Sequence, residues 1–192
     1  MATKTIILVR HGQYHPAQEN ETERLTTLGR KQAKHVSNRL KEVKIDRIVH
    51  STMPRAMETA AIIKSGLSFR KSFESCDTLR ECVPGFPKEL RKKHGFTDIK
   101  KLKSHKEQAD KAFEKYFKPS KKDSVEVLVC HGNIIRYLVC RVLGIDTMKW
   151  RELDIQQCAL SVVEVRSKGS LKNVVISHND VGHIPKAQRT FL

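Results

Sequence analysis

Three features of the sequence predict an α/β fold, a three-layer, mostly parallel sheet flanked by helices and ending in an antiparallel hairpin. First, short β-branched apolar runs alternate with helical patterns along the chain, the mark of βα units in a parallel sheet. Second, two of those runs end alike: Thr5-Ile6-Ile7-Leu8-Val9 leads into Arg10-His11-Gly12, and Val125 to Cys130 leads into His131-Gly132. Third, two late runs, Ser161 to Val165 and Leu171 to Ser177, flank Lys168-Gly169, a hairpin signal.

The elements follow in order. After the first strand, His15 to Arg24 is polar and contains Pro16, so a loop is expected. A helix then opens near Leu25 to Gly29 with Thr26 as N-cap, and Leu28, Val36, Leu40 and Val43 form its apolar face. Arg47 to His50 reads as a second strand. A helix with Pro54 in its first turn and a hydroxyl residue as cap follows, continuing through Ala56 to Ile63. A third strand is expected over Lys71 to Leu79, ending at Arg80-Glu81. Cys82 to His105 reads as irregular, and a helix is expected from about Ser104 to Phe117, closed by Pro119-Ser120. The Val125 strand leads to a helix from Asn133 to Leu143.

The 192 residues fit a single domain, 1–192, with a basic insertion over 82–122. No apolar run approaches the roughly 18 residues a membrane span needs, and the first strand starts too near Met1 to leave room for a leader. Five cysteines with no C-x-x-C pair point to free thiols in a reducing compartment. The expected location is cytoplasmic, with mitochondrial as the alternative if an anchor precedes this chain. The formal net charge is +16, and Lys88 to Lys122 alone holds thirteen Lys/Arg against five Asp/Glu. That field attracts anions of many kinds and does not choose a function.

Chemistry is narrowed by position. In open α/β sheets the ligand crevice lies beyond the carboxyl ends of the strands. Arg10-His11, Ser51 with Arg55 one turn on, Glu81, and His131 all sit just past an expected strand. Two arginines and two imidazoles suit the oxygens of a phosphoryl group, which carries about −1.5 to −2 charge at neutral pH. The backbone of Gly12 and Gly132 can approach the same oxygens. One histidine with a free nitrogen could attack phosphorus, and a carboxyl of raised pKa could protonate the leaving alkoxide. Glu81 is the acidic residue of the set.

These segments, with Leu25-Thr26, Leu28-Gly29, Gln32-Ala33, Ala56, Glu58-Thr59, Leu79-Arg80-Glu81 and Cys130-His131-Gly132-Asn133, occur in an order that resembles the histidine phosphatase (phosphoglycerate mutase-like) superfamily. Gln13-Tyr14-His15, His50 to Met53, Ile134 to Tyr137 with Cys140-Arg141, and Asn179-Asp180 to Pro185 resemble its serine/threonine protein phosphatase branch. The resemblance implies a phosphoglycerate mutase-like fold and a phosphomonoesterase without cofactor or metal, acting on phosphoserine and phosphothreonine proteins. It implies His11 as nucleophile, Glu81 as acid, and Arg10, Arg55 and His131 as phosphate binders. Gly132, Gln13 and Ser51 are added as further phosphate contacts. Two positions depart from the wider pattern: Gln13 stands where many members have Glu, and Ala17 where many have a phosphate-touching Asn.

Other readings rank lower. Cys130 and Arg136 have the spacing of cysteine-dependent phosphatases, but strand alternation turns Cys130 to the core if His131 faces the crevice. A mutase would need more chain around the site than the segment between Glu81 and His131 supplies. A small-molecule phosphatase of the same superfamily is the alternative, with a non-catalytic phosphoprotein adaptor behind it. Few aromatics and no recognisable motif argue against a dedicated nucleic acid site. A metal pair from His11 and His15 fails because Gly12 and Pro16 break the helix it needs. The partner expected is a phosphoprotein substrate, with a homodimer allowed and no membrane segment in this chain.

Overall fold

The computed structural model describes residues 2–15, 23–169 and 172–191. Its sheet contains β1 (Thr3–Arg10), β2 (Arg47–His50), β3 (Ser72–Ser75), β4 (Ser124–Cys130), β5 (Leu160–Arg166) and β6 (Asn173–Asp180), in the order β3-β2-β4-β1-β5-β6. The first four neighbours run parallel, while β5 is antiparallel to β1 and β6 is antiparallel to β5. The mixed sheet with its antiparallel C-terminal pair is the architecture expected.

β1 and β4 lie in the middle, and Ile6, Leu8, Val9 and Val127 to Cys130 are sealed from solvent. Burial on both faces is why these strands read as continuous apolar runs instead of alternating ones. Helix α1 (Thr27–Arg39) packs on α2 (Pro54–Gly66), and α4 (Ile99–Tyr116) packs on α5 (Gly132–Leu143), giving the two layers that cover the sheet. A one-turn helix, α3 (Lys88–Arg91), interrupts the basic segment.

Thr26 caps α1 as expected, its side chain accepting the Gly29 N–H. The buried stripe of α1 differs from the apolar spacing: Gly29, Gln32, Ala33, Val36 and Ser37 face inward, and Leu28 is only half-buried. In α2 the cap position is Met53 with no side-chain cap bond, and Ser51 instead accepts the Met53 N–H at 3.2 Å. β3 is shorter than the expected 71–79 strand, because a 3-10 turn over Asp77–Leu79 ends it. Helix α4 starts earlier than Ser104, since the Asp98 side chain caps Lys101 N–H at 3.0 Å and supports another turn of lysine-rich helix. Of the expected hairpin, Gly169 has φ 112, a conformation that favours glycine, while Leu171 lies outside the described residues. Ala17 and most of the 15–24 loop also lie outside them.

Register brings the site together. Arg10 pairs with Cys130 and His50 pairs with Val129, so the residues that follow β1, β4 and β2 emerge side by side. The chain leaves β1 toward α1 and leaves β4 toward α5, in different helix pairs. That divergence is the arrangement of a switch point, where a crevice is expected.

Candidate active site

His11 leaves β1 with its backbone N–H on the Cys130 carbonyl at 3.0 Å, and only 2% of the residue is exposed. Its Nδ1 lies 2.8 Å from the Gly12 carbonyl. A carbonyl only accepts, so Nδ1 carries the hydrogen and Nε2 keeps its lone pair. The second contact agrees, because Arg55 Nε–H donates to His11 Nε2 at 3.2 Å. Burial, reinforced by the Arg10 and Arg55 guanidinium groups, holds the His11 pKa well below the usual imidazole value. The result is a neutral imidazole with a basic nitrogen in a cationic pocket.

His131 sits 5.0 Å from His11, ring centre to ring centre, at an interplanar angle of 59°. It is the N-cap residue of α5, its Nε2 lies 2.8 Å from Ser51 Oγ, and its buried Nδ1 has no partner among the described residues. Burial first, then the nearby His11, Arg55 and Arg10, depresses its pKa well below the usual value. Arg10 gives Nη1 to the Ile155 carbonyl at 2.6 Å, and its buried Nε is unpartnered among the described residues. Gly132 makes room for that side chain: a Cβ there would stand 3.3 Å from Arg10 Nε and 3.5 Å from Cζ.

Arg55 is 5% exposed and fixed on several sides. Besides His11, it gives Nη1 to Glu23 Oε2 at 2.7 Å, and its guanidinium lies 4.5 Å from the centre of the Tyr14 ring. Tyr14 stands edge-on to His11 at 5.1 Å, so one ring contacts both groups. Glu81 follows the 3-10 turn after β3, its carboxylate accepting the Cys82 N–H at 3.1 Å and the Asn133 N–H at 3.5 Å. Loss of water around the carboxyl raises its pKa above the usual range, although those amides and the two arginines pull the other way. A carboxyl of raised pKa thus stands beside the first turn of α5.

His11, Arg10, Arg55, His131, Gly132 and Glu81 therefore gather at one sheet edge. The other sequence-expected contacts are engaged elsewhere. Gln13 gives its backbone N–H to Gln32 Oε1 at 2.8 Å, and its side-chain oxygen accepts the Thr26 hydroxyl at 2.7 Å. Ser51 is paired with His131, and the Gly12 amide donates to Thr59 Oγ1 at 3.1 Å. Cys130 is fully buried, burial pushes its thiol pKa up, and its Sγ is 3.9 Å from the Leu128 carbonyl. Arg136 is bound to the Asn133 side chain and to the Leu153 carbonyl.

Sequence reasoning missed Thr59, Gln32, Tyr14, Glu23 and the Ile155 carbonyl as supports of the site. Thr59 lies one turn past Arg55 on the same face of α2, its hydroxyl donating to the Arg55 carbonyl at 2.8 Å, so helical spacing could have found it. Ile155 contributes a backbone atom, which no residue type announces. Among the described residues no group of His, Cys, Asp and Glu is placed to hold a metal ion, and no helix is long and apolar enough to cross a membrane.

Comparison with known proteins places these features. The serine/threonine-protein phosphatase Pgam5, mitochondrial, of Caenorhabditis elegans is 36% identical over 99% of this chain and 67% of its own length. The chain spans about two thirds of the length of the curated relatives it matches. Among solved structures, a phosphoglycerate mutase from Plasmodium falciparum is 29% identical, covers 100% of both chains and has a TM-score of 0.64. The Bacillus stearothermophilus protein YhfR, at 21% identity and covering 95% of this chain and 100% of its own, shares the fold with a TM-score of 0.74. The family model for the histidine phosphatase superfamily (branch 1) matches residues 6–179, and the chain belongs to that superfamily.

Proposed function

We propose that this chain, one catalytic domain over 1–192, is a phosphomonoesterase working through a phosphohistidine at His11, with phosphoserine and phosphothreonine proteins as substrates. The observation that carries the reading is the His11 Nε2 lone pair, capped among the described residues by an Arg55 N–H alone and buried between two arginines, with Glu81 near them. Among the described residues, Arg10 Nε and His131 Nδ1 are buried nitrogens without partners, and an oxyanion would satisfy both if each carries its hydrogen. Ser51 accepts the Met53 N–H and has its own hydrogen for His131 Nε2, which leaves His131 Nδ1 to donate.

The reaction follows from that arrangement. Phosphate oxygens draw Arg55 from His11 and bind Arg10, Arg55 and His131. Nε2 attacks phosphorus, forming the P–N bond as the ester P–O bond breaks. The leaving alkoxide takes the Glu81 proton, a contribution of typically about 10²–10⁴-fold for a general acid. The Glu81 carboxylate then accepts a proton from water, which attacks phosphorus, releases inorganic phosphate and restores His11.

The name of the relative at 36% identity, a serine/threonine-protein phosphatase, supports a protein substrate. The word mitochondrial in the relatives' names supports that alternative over the cytoplasmic expectation. The test is p-nitrophenyl phosphate hydrolysis by wild type, His11→Ala and Cys130→Ser, followed by phosphopeptides against 3-phosphoglycerate. Activity lost only in His11→Ala supports the mechanism, and loss only in Cys130→Ser moves the chemistry to the thiol. Preference for 3-phosphoglycerate would overturn the protein substrate.

A further inference from the structure

A closed ring of hydrogen bonds runs beneath the nucleophile. Gln32, on α1, has no solvent exposure. Its Oε1 accepts the Gln13 N–H at 2.8 Å, and its Nε2 donates to the Gln188 carbonyl and to Thr190 Oγ1, both at 2.7 Å. The orientation of this amide is unambiguous, because a backbone N–H can face only its oxygen and a carbonyl only its nitrogen. The Thr190 hydroxyl donates in turn to Gln157 Oε1, and the Thr190 carbonyl accepts the Gln157 N–H at 3.1 Å. The next residue closes the ring, Cys158 giving its N–H to the Arg10 carbonyl at 3.1 Å and the His11 carbonyl at 3.3 Å. His35, one turn beyond Gln32, holds the Gln188 side chain at 3.0 Å.

The loop beneath His11 has no slack. A Cβ on Gly12 would stand 2.6 Å from the Gly29 carbonyl oxygen, and one on Gly29 would stand 2.0 Å from the Gln13 carbonyl oxygen. The catalytic loop therefore rests directly on the first turn of α1. Its outward amide, at Gln13, is held by Gln32, a side chain that also grips the C-terminal segment.

We infer that Gln32 is a positioning residue for His11 and that the C-terminal segment around Gln188–Thr190 acts through it, clasping the nucleophile loop from behind. The segment is a working part of the site although it contributes no group to the phosphate pocket. The inference rests on the phosphatase reading of that pocket. A group displaced by about 1 Å can lose roughly 10²-fold in rate, so a buried support need not touch substrate to matter.

The test uses the whole 1–192 chain with Thr190→Val, which keeps volume and removes the hydroxyl, alongside Gln32→Leu and the double variant. Two readouts are needed: steady-state kinetics with burst measurement of phosphoenzyme formation, and backbone amide exchange across residues 11–14. The expected result is a fall in kcat of about three- to tenfold for Thr190→Val and about tenfold or more for Gln32→Leu, within the range that misplacement supports. KM should be little changed, the double variant no worse than Gln32→Leu, and exchange at Gln13 faster in all three. A lowered melting temperature with unchanged kcat and unchanged Gln13 exchange in the folded protein would overturn the clasp and leave Gln32 a structural residue. Should Gln32→Leu not fold, Thr190→Val carries the same test alone. An inactive wild type would sink the phosphatase reading instead, and the exchange of Gln13 in Thr190→Val would still decide the coupling.

Discussion

Arg55 Nε lies 3.2 Å from His11 Nε2, the nitrogen that must attack phosphorus in the proposed reaction. The same guanidinium holds the Glu23 carboxylate at 2.7 Å. In this state a protein carboxylate occupies part of the cation that phosphate needs, and the nucleophile's lone pair is occupied too. In the proposed reaction, substrate binding is thus an exchange of anions at Arg55. Glu23→Gln should lower KM for a phosphate ester, by roughly threefold given that a partly exposed ion pair contributes about 0–1 kcal/mol. Its kcat should change little. A KM that rises in Glu23→Gln would show that Glu23 helps to orient Arg55 instead of competing for it.

The two titrating groups of the site set a one-sided pH profile. His11 is neutral at ordinary pH because burial depresses its pKa, so it is competent well into the acid range. Glu81 must be protonated to act as acid, and burial raises its pKa. Activity on an alkyl phosphate should therefore fall as pH rises through the Glu81 value. In the burst of phosphoenzyme formation, Glu81→Gln should slow alkyl esters by about 10²-fold or more while sparing p-nitrophenyl phosphate, whose leaving group needs no proton; the later hydrolysis, where Glu81 takes the proton of water, should slow for both. Equal losses on both esters in the burst would remove Glu81 from the acid role.

Stability should follow the same shifts with the opposite consequence. A carboxyl whose folded pKa is raised binds its proton more tightly when folded, so stability falls as pH climbs from the unfolded value through the folded one. Glu81→Gln should accordingly raise the melting temperature at pH 7–8 and do little at pH 4. His11 and His131 act at the acid end. Their folded pKa values are depressed, so stability is lost as pH falls below about 6.5, where the unfolded imidazoles begin to take up protons. Calorimetric scans of wild type, Glu81→Gln and His11→Asn across that range check both signs.

How much of this was legible in the sequence depended on the kind of signal. β1, β4 and the groups Arg10-His11, Arg55 and His131 could be placed because the ends of buried strands are marked by composition, whereas Glu81 was expected at a strand end and reaches the site through the 3-10 turn over Asp77–Leu79. The start of α4 could not be placed, since lysines at 100, 101 and 103 look the same on a helix and in a loop until Asp98 is seen to cap them. β3 was overread because an edge strand with exposed side chains has no burial pattern to mark its end. Gln32 was hidden for the opposite reason: it is a polar residue inside the buried stripe, where only its partners in the distant C-terminal segment explain it.

Oxyanion mimics should report on the preformed pocket without turnover. Vanadate or tungstate would satisfy the unpartnered Arg10 Nε and His131 Nδ1 and should raise the melting temperature, by linkage worth about 2.7 kcal/mol at a ligand concentration of 100 Kd. His131→Ala should abolish most of that shift. A full shift in His131→Ala would place the oxyanion away from the second imidazole.

Ser51 separates a residue that binds phosphate from one that orients a binder. Its hydroxyl is 2.8 Å from His131 Nε2 and 3.2 Å from the Met53 nitrogen that donates to it, so both contacts are within the protein. Ser51→Ala would leave the buried Nε2 without a partner, and a lost buried hydrogen bond costs about 1–3 kcal/mol. The free imidazole could then adopt the other tautomer, with its hydrogen on Nε2 and nothing left at Nδ1 to donate to phosphate. If Ser51 acts through His131, Ser51→Ala should weaken oxyanion binding by about tenfold or more on that energy scale, and the loss should vanish in a His131→Ala background. Losses that add across the double variant, measured as vanadate affinity, would instead put Ser51 in direct contact with phosphate.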